Sequence, residues 1–285
     1  MRASRDRRAP DRGPPRAVRR RGRRTGEPPA PVRAGRGCRT PSLRCGAWLT
    51  SYWWQALGSA HGHGTTSYRS WRAAGHGVRP LTLSGLAEKS GAPAGQQTHV
   101  RDIVREIEAH DLRDVVLVGH SYAGIPVGQA AERIGDRLRR VVFVDSNVPV
   151  HGESFVSAWP DGRAMIEAST AATGGFWAPP PEGDFAGQGL SDGQIGRIVG
   201  GATPHPGATL TEPAVLGRAI GELPATYVKC LLDGPEPGPD VVELLRGERW
   251  QLVELDTGHW PMFSRPRELA RVLLDAGAAR GVSRT

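Results

Sequence analysis

The residues best equipped for chemistry are Gly119-His120-Ser121-Tyr122-Ala123-Gly124, which follow the apolar run Val115-Val116-Leu117-Val118. A β-branched run ending in Gly-x-Ser-x-small, with a helix-compatible stretch behind it, is the pattern of a strand, a sharp turn and a helix that hold a serine in a strained elbow. Such a turn presents the Ser121 hydroxyl to a substrate as a nucleophile. Gly119 and Ala123 are small because the strand end and the first helical turn approach closely there. With 38 glycines among 285 residues, the same short pattern also fits an ordinary serine helix cap. A second segment bears on that choice. Asp256-Thr257-Gly258-His259-Trp260-Pro261 follows a strand-like run from Trp250 to Leu255 and precedes a helix that opens near Ser264, with Pro266 in its first turn. His259 therefore falls on a strand-to-helix loop, where it is either a solvated side chain or a general base for Ser121.

The elements that must position these residues follow from the hydropathy pattern. Apolar runs at 78–83, 115–118, 141–144, 227–231 and 252–255 alternate with helical patterns at 98–110, 123–134 and 268–276. That alternation predicts a mainly parallel sheet with helices on both faces. Val100, Ile103, Val104 and Ile107 form one stripe, with Thr98 as the expected N-cap, and Leu269, Val272 and Leu273 form another near the C-terminus. These stripes are core. From Val150 to Pro224 the pattern changes to Gly- and Pro-rich sequence with short helical pieces, a length between two strands that is usually functional. Its Phe155, Trp159, Phe176 and Trp177 either line an apolar acyl or alcohol site or pack this insertion on the body.

Further segments carry a resemblance: Gly46-Ala47-Trp48 with Tyr52 and Trp54, Ala73-Ala74-Gly75-His76 through Leu83-Ser84-Gly85-Leu86, and Thr98-His99-Val100-Arg101-Asp102. Asp111-Leu112-Arg113-Asp114, the serine elbow, Val144-Asp145 with Val148-Pro149 and Gly152-Glu153-Ser154, Tyr227-Val228-Lys229-Cys230 and Gly258-His259-Trp260-Pro261 continue it. From about residue 73 to 278 the chain resembles small bacterial α/β-fold hydrolases of the esterase type and, more distantly, plant methylesterases and hydroxynitrile lyases. The resemblance implies an α/β-hydrolase fold over 41–285 with an inserted cap at about 150–224, and a catalytic order of Ser, acid, His. It assigns the acid to Asp233, which would hold the Nδ1–H of His259. Asp145 at the preceding strand end is the rival, and Asp256 is expected only to cap its turn. Tyr122, next after the nucleophile, would give one oxyanion-hole N–H, and by resemblance Ala47 the other. At Cys45 the family has a histidine, and 41–44 is a poor central strand, so this corner departs from the pattern.

Composition bounds the rest. Residues 1–40 carry 14 arginines and three acids, a formal +11 against +8 for the whole chain, which leaves the remainder mildly acidic. A segment so poor in apolar residues is expected to be a disordered tail. Nucleic-acid or membrane contact is the functional reading of its charge, and an inert or non-authentic extension, in keeping with 35 arginines and two lysines overall, is the favoured one. No apolar stretch follows Arg19-Arg20-Arg21 to form an export signal, and no window approaches a membrane span. Cys38, Cys45 and Cys230 form neither a metal spacing nor an even disulfide set, as expected in the cytoplasm. His61-Gly62-His63 lacks a third ligand at usable spacing, so no metal and no cofactor is expected. The expected function is cofactor-independent serine hydrolysis of a small ester or related acyl substrate. The alternatives are a non-catalytic ligand-binding homologue and a lyase of the hydroxynitrile type, the latter opposed by Trp260 where such enzymes carry a lysine.

Overall fold

The computed structural model describes residues 47–52, 72–73 and 75–278. Its strands are β1 (Ala47–Tyr52), β2 (Gly77–Leu81), β3 (Val115–His120), β4 (Leu138–Val144), β5 (Phe176–Trp177), β6 (His205–Pro206), β7 (Ala225–Cys230) and β8 (Trp250–Leu255). Six of them form a parallel sheet of order β2-β1-β3-β4-β7-β8. Helices α1 (Gln96–Ala109), α2 (Gly124–Arg133), α3 (Gly162–Ala171), α4 (Asp192–Gly200), α5 (Gly207–Thr211), α6 (Pro239–Leu245), α7 (Pro261–Ser264) and α8 (Pro266–Ala278) connect or flank them. This is the expected α/β-hydrolase architecture.

Alternation along the central strands explains the two-sided cover. Val115, Leu117, Val141, Phe143, Ala225 and Tyr227 face Val100, Ile103 and Ile107 of α1, Val127 and Ala130 of α2 and Val241 of α6. The intervening Val116, Val118, Val142, Val144 and Val228 face Leu269, Ala270 and Leu273 of α8. Both faces are apolar, so the strands read as continuous hydrophobic runs rather than alternating ones.

The connection between β4 and β7 holds α3, α4, α5 and the antiparallel β5–β6 pair. It is bound to the body by polar groups as well as by packing. The Glu212 carboxylate, just after α5, accepts the Gln96 N–H at 2.6 Å, placing an acid at the positive end of α1. That bond also moves the start of α1. Gly95 is the N-cap, and Thr98, expected there, sits three residues in with its hydroxyl accepting the Gly95 N–H at 3.4 Å.

A second correction concerns Ala47. Strand β1 is the run Ala47-Trp48-Leu49-Thr50-Ser51-Tyr52, whose aromatic and β-branched residues suit the pleat, so the small Gly46-Ala47 pair precedes a strand instead of following one. Trp48 pairs with Val78 and Val116, and Tyr52 pairs with His120. Ala47 thus lies where the strands begin, whereas Ser121 follows β3 where they end. At about 3.3 Å per residue this separates them by roughly 20 Å, and the Ala47 N–H cannot serve an oxyanion at Ser121. The basic segment 1–40, Cys38, Cys45, 41–44, Trp54 and the His61–His63 pair lie outside the described residues. No helix of the described residues is long and apolar enough to cross a membrane.

At Gly124, the first residue of α2, a Cβ would overlap the Asn147 carbonyl oxygen and the Ser146 side chain, both in the exit from β4. Gly124→Ala is expected to force that loop away and destabilise the fold by about 1–3 kcal/mol. A urea midpoint equal to wild type would show that the two segments do not meet this closely.

Candidate active site

In a parallel sheet the strand ends that carry the C-terminal loops all open at one edge, and ligands bind there where strand order reverses. Here β1 leads outward to β2 on one side, and the chain returns to β3 on the other. Ser121 follows β3, Asp145 follows β4, Asp233 follows β7 and His259 follows β8, so all four expected residues gather at this edge.

Ser121 is buried and has φ of +56°. A non-glycine residue in that region is strained by on the order of 1–3 kcal/mol unless its surroundings impose it. They do. A Cβ at Gly119 would stand 2.9 Å from the Ala123 carbonyl oxygen and 3.0 Å from the Gly124 nitrogen, so only a glycine lets strand and helix turn this tightly. Tyr122 and Ala123 complete the first helical turn, and N–H groups at a helix start have no acceptor within the helix. The Tyr122 N–H lies in that first turn.

The other end of Tyr122 ties the elbow to the insertion. His99 Nε2 donates to the Ser84 carbonyl at 2.8 Å, which leaves Nδ1 to accept the Tyr122 hydroxyl at 3.0 Å. His205 packs edge-on against Tyr122 and donates to Thr209 Oγ1 at 2.7 Å, while Thr209 donates to the Pro206 carbonyl. Burial lowers the pKa of His99 to about 4 and pushes that of His205 well below its usual value, so both are neutral. Phe155 packs edge-on against Tyr122 and Trp159 against Phe155. Of the two roles open to these aromatics, packing the insertion on the body accounts for Phe155, on which Trp159 packs within the insertion.

His259 is held from three directions. Its carbonyl accepts the Nε2–H of His120, the residue before Ser121, at 2.6 Å, and the two rings lie 4.6 Å apart between centroids. Its backbone N–H donates to Gln188 Oε1 at 2.6 Å. Its Nδ1 stands 2.7 Å from Asp145 Oδ2 and 3.3 Å from Asp233 Oδ2, which leaves Nε2 as the ring nitrogen able to take a proton. Asp256 lies exposed beyond the end of β8.

The two carboxylates differ in setting. Asp145 is buried, with φ of +40°, a second strained residue at a strand end. Its Oδ1 accepts Lys229 Nζ at 3.1 Å and the Cys230 N–H at 3.1 Å. Asp233 is partly exposed, and its Oδ1 accepts Gln188 Nε2 at 3.3 Å. Lys229 also donates to the Asp233 backbone carbonyl at 2.8 Å. The shorter bond thus belongs to Asp145, the rival, and both acids share Nδ1.

Burial disfavours the imidazolium, but Asp145 and Asp233 outweigh it and raise the His259 pKa to about 9. The bond from His259 in turn holds the Asp233 carboxyl well below the usual range, against its burial. His120 is pushed far down by burial and by its charged neighbour, and remains a neutral donor. Asp145, Asp233 and His259 also form the one group among the described residues whose donor atoms, all within 4.8 Å, could hold a metal ion. The Lys229 ammonium already stands where a cation would face Asp145.

This fold and strand-end arrangement define the class of protein. Residues 45–272 match the alpha/beta hydrolase family, and the chain belongs to that family as a hydrolase of its superfamily. It is 32% identical over 233 residues to a carbendazim hydrolyzing esterase of Nocardioides sp. (strain SG-4G), spanning 75% of this chain and 96% of that protein. It is 29% identical over 226 residues to a probable hydrolase R7 of Phoma sp., spanning 72% and 88%. Among solved structures it is similar to an extracellular alpha/beta-hydrolase from a Paenibacillus species, with a TM-score of 0.68 at 20% identity over 82% of this chain and all of the other. Polyneuridine aldehyde esterase gives 0.58 at 16% identity over 81% and 99%.

Sequence reasoning missed Lys229 and Gln188 as parts of this site. Lys229 did carry a signal, being one of two lysines beside 35 arginines and lying within an apolar run. Gln188, 71 residues before its partner His259, carried none.

Proton titration of the His259 ring by NMR should give a pKa above 6.5, toward about 9, because its charged form gains two carboxylates on folding. A value at or below 6.5 would mean that the acids do not both face the ring in solution.

Proposed function

We propose that the chain is a cofactor-independent serine hydrolase, carboxylesterase-like, that cleaves a small ester or related acyl compound. The observation that carries this reading is the strained Ser121 at the end of β3, whose sequence neighbour His120 binds the carbonyl of a histidine whose Nδ1 is held by carboxylates. Ser121 Oγ attacks the substrate carbonyl while His259 Nε2 takes its proton. The oxyanion rests on the Tyr122 N–H. Collapse of the tetrahedral intermediate expels the alcohol, protonated by His259, and leaves an acyl group on Ser121. His259 then activates a water that releases the acid. Asp145 and Asp233 fix the Nδ1–H tautomer and balance the imidazolium, so Asp233, expected as the sole acid, shares that task with Asp145. The odd cysteine count supports a cytoplasmic site of action.

A fluorophosphonate probe should label wild type and not Ser121→Ala. On p-nitrophenyl esters, and on carbendazim as a second substrate, Ser121→Ala and His259→Ala should each lower kcat by on the order of 10⁴–10⁶, with the double variant little worse. Additive losses, or a labelled Ser121→Ala protein, would remove this assignment. Because the neutral ring is the base, kcat/KM should rise with pH through the His259 pKa, with its midpoint above 6.5 and toward about 9. A plateau already reached below 6.5 would contradict that order of ionisation.

A further inference from the structure

Lys229 is buried on β7, and its Nζ bridges Asp145 Oδ1 at 3.1 Å and the Asp233 carbonyl at 2.8 Å. A charge this deep costs much to desolvate unless it is paired. Its pairing, however, uses up the carboxylate closest to His259. Counted as formal charges, Asp145 and Asp233 give two negative charges around the ring and Lys229 one positive charge, a formal net of one negative charge at Nδ1. The other groups near the ring do not alter that count. His120 is a neutral donor, burial raises the pKa of the Cys230 thiol so that it stays protonated, the Tyr227 phenol donates to the Ser146 carbonyl, and Gln188 and Trp260 are uncharged.

Resting on the reading of His259 as the base, we propose that Lys229 is a positioning residue that cancels the charge of Asp145 and thereby makes Asp233 indispensable, so that the acid of the relay is a three-membered group. Asp145 supplies the short, oriented bond, Lys229 fixes that carboxylate and the Asp233 loop, and Asp233 supplies the uncompensated charge. The proposal predicts a compensation that a purely structural lysine would not give. Asp233→Asn alone leaves no net charge to balance the imidazolium. Lys229→Met alone leaves two negative charges, and the double variant returns to one.

The test is a double-mutant cycle on p-nitrophenyl acetate, with kcat/KM followed across pH and folding checked by circular dichroism. Asp233→Asn should lower kcat/KM by roughly 10²-fold or more in the parent, and by less than about threefold in the Lys229→Met background. The acid limb should move up by about one unit in Lys229→Met and down by about one in Asp233→Asn, while Lys229→Arg, which keeps the charge, leaves it in place. Equal losses from Asp233→Asn in both backgrounds, or an unmoved limb in folded Lys229→Met, overturn the proposal. If Lys229→Met does not fold, Asp233→Asn and Lys229→Arg decide: an acid limb unchanged in Asp233→Asn, or displaced in Lys229→Arg, overturns it equally. Ser121→Ala separates the two levels. Activity surviving in Ser121→Ala removes the serine-hydrolase reading itself, whereas a dead Ser121→Ala protein with an additive cycle removes only the role of Lys229.

Discussion

The candidate site depends on one carboxylate placed where carboxylates are expensive. Asp145 sits at the buried end of a central strand, in a backbone conformation that few non-glycine residues adopt. It is tolerable because three donors converge on it: an ammonium, a backbone N–H and an imidazole N–H. Those donors come from β7 and from the loop after β8, so a single side chain fixes the relative placement of three strand ends. A buried ion pair adds little net stability, since desolvation offsets most of the Coulomb gain, but breaking it by removing one partner is costly. Its contribution is therefore geometric, holding His259 in one orientation.

The insertion between β4 and β7 acts on the same site from the opposite side. Gln188 reaches the His259 backbone and the Asp233 carboxylate, and His205 and Thr209 enclose the Tyr122 ring. Phe185 and Ile198 of the insertion pack with Trp260 and Phe263, which flank the His259 loop. Roof and floor are joined by hydrogen bonds of definite geometry, Gln188 with His259 and Gln96 with Thr209 among them. Movement of the insertion would consequently disturb His259 as well.

Much of this was legible in the sequence, for identifiable reasons. The β-branched runs gave the parallel sheet because a strand covered on both faces must be apolar throughout, and the Gly-x-Ser-x-Ala spacing gave the elbow because close backbone approach excludes side chains. Ala47 misleads because the resemblance aligns Gly46-Ala47 with the loop that follows the family's first core strand, whereas Trp48 to Tyr52 carry the strand preference here. The choice between Asp145 and Asp233 was not legible because it depends on where two loops meet across the sheet edge. Spacing along the chain contains no such information, and the answer, that both reach Nδ1, was not among the options that spacing poses. Gln188 was invisible for the same reason, whereas the rarity of lysine in this chain did distinguish position 229.

The distance in sequence between bonded partners has a kinetic consequence. His120 and His259 meet across 139 residues, and Asp145 and His259 across 114. Contacts of such separation form late, because the loop between the partners must be closed before they reward the chain. On the proposed mechanism, a chain that has emerged as far as Asp233 during synthesis possesses Ser121 and both carboxylates but lacks the His259 that would activate the serine. Onset of activity during refolding would accordingly time the docking of the final strand-to-helix loop, making the enzyme a reporter of its own last folding step.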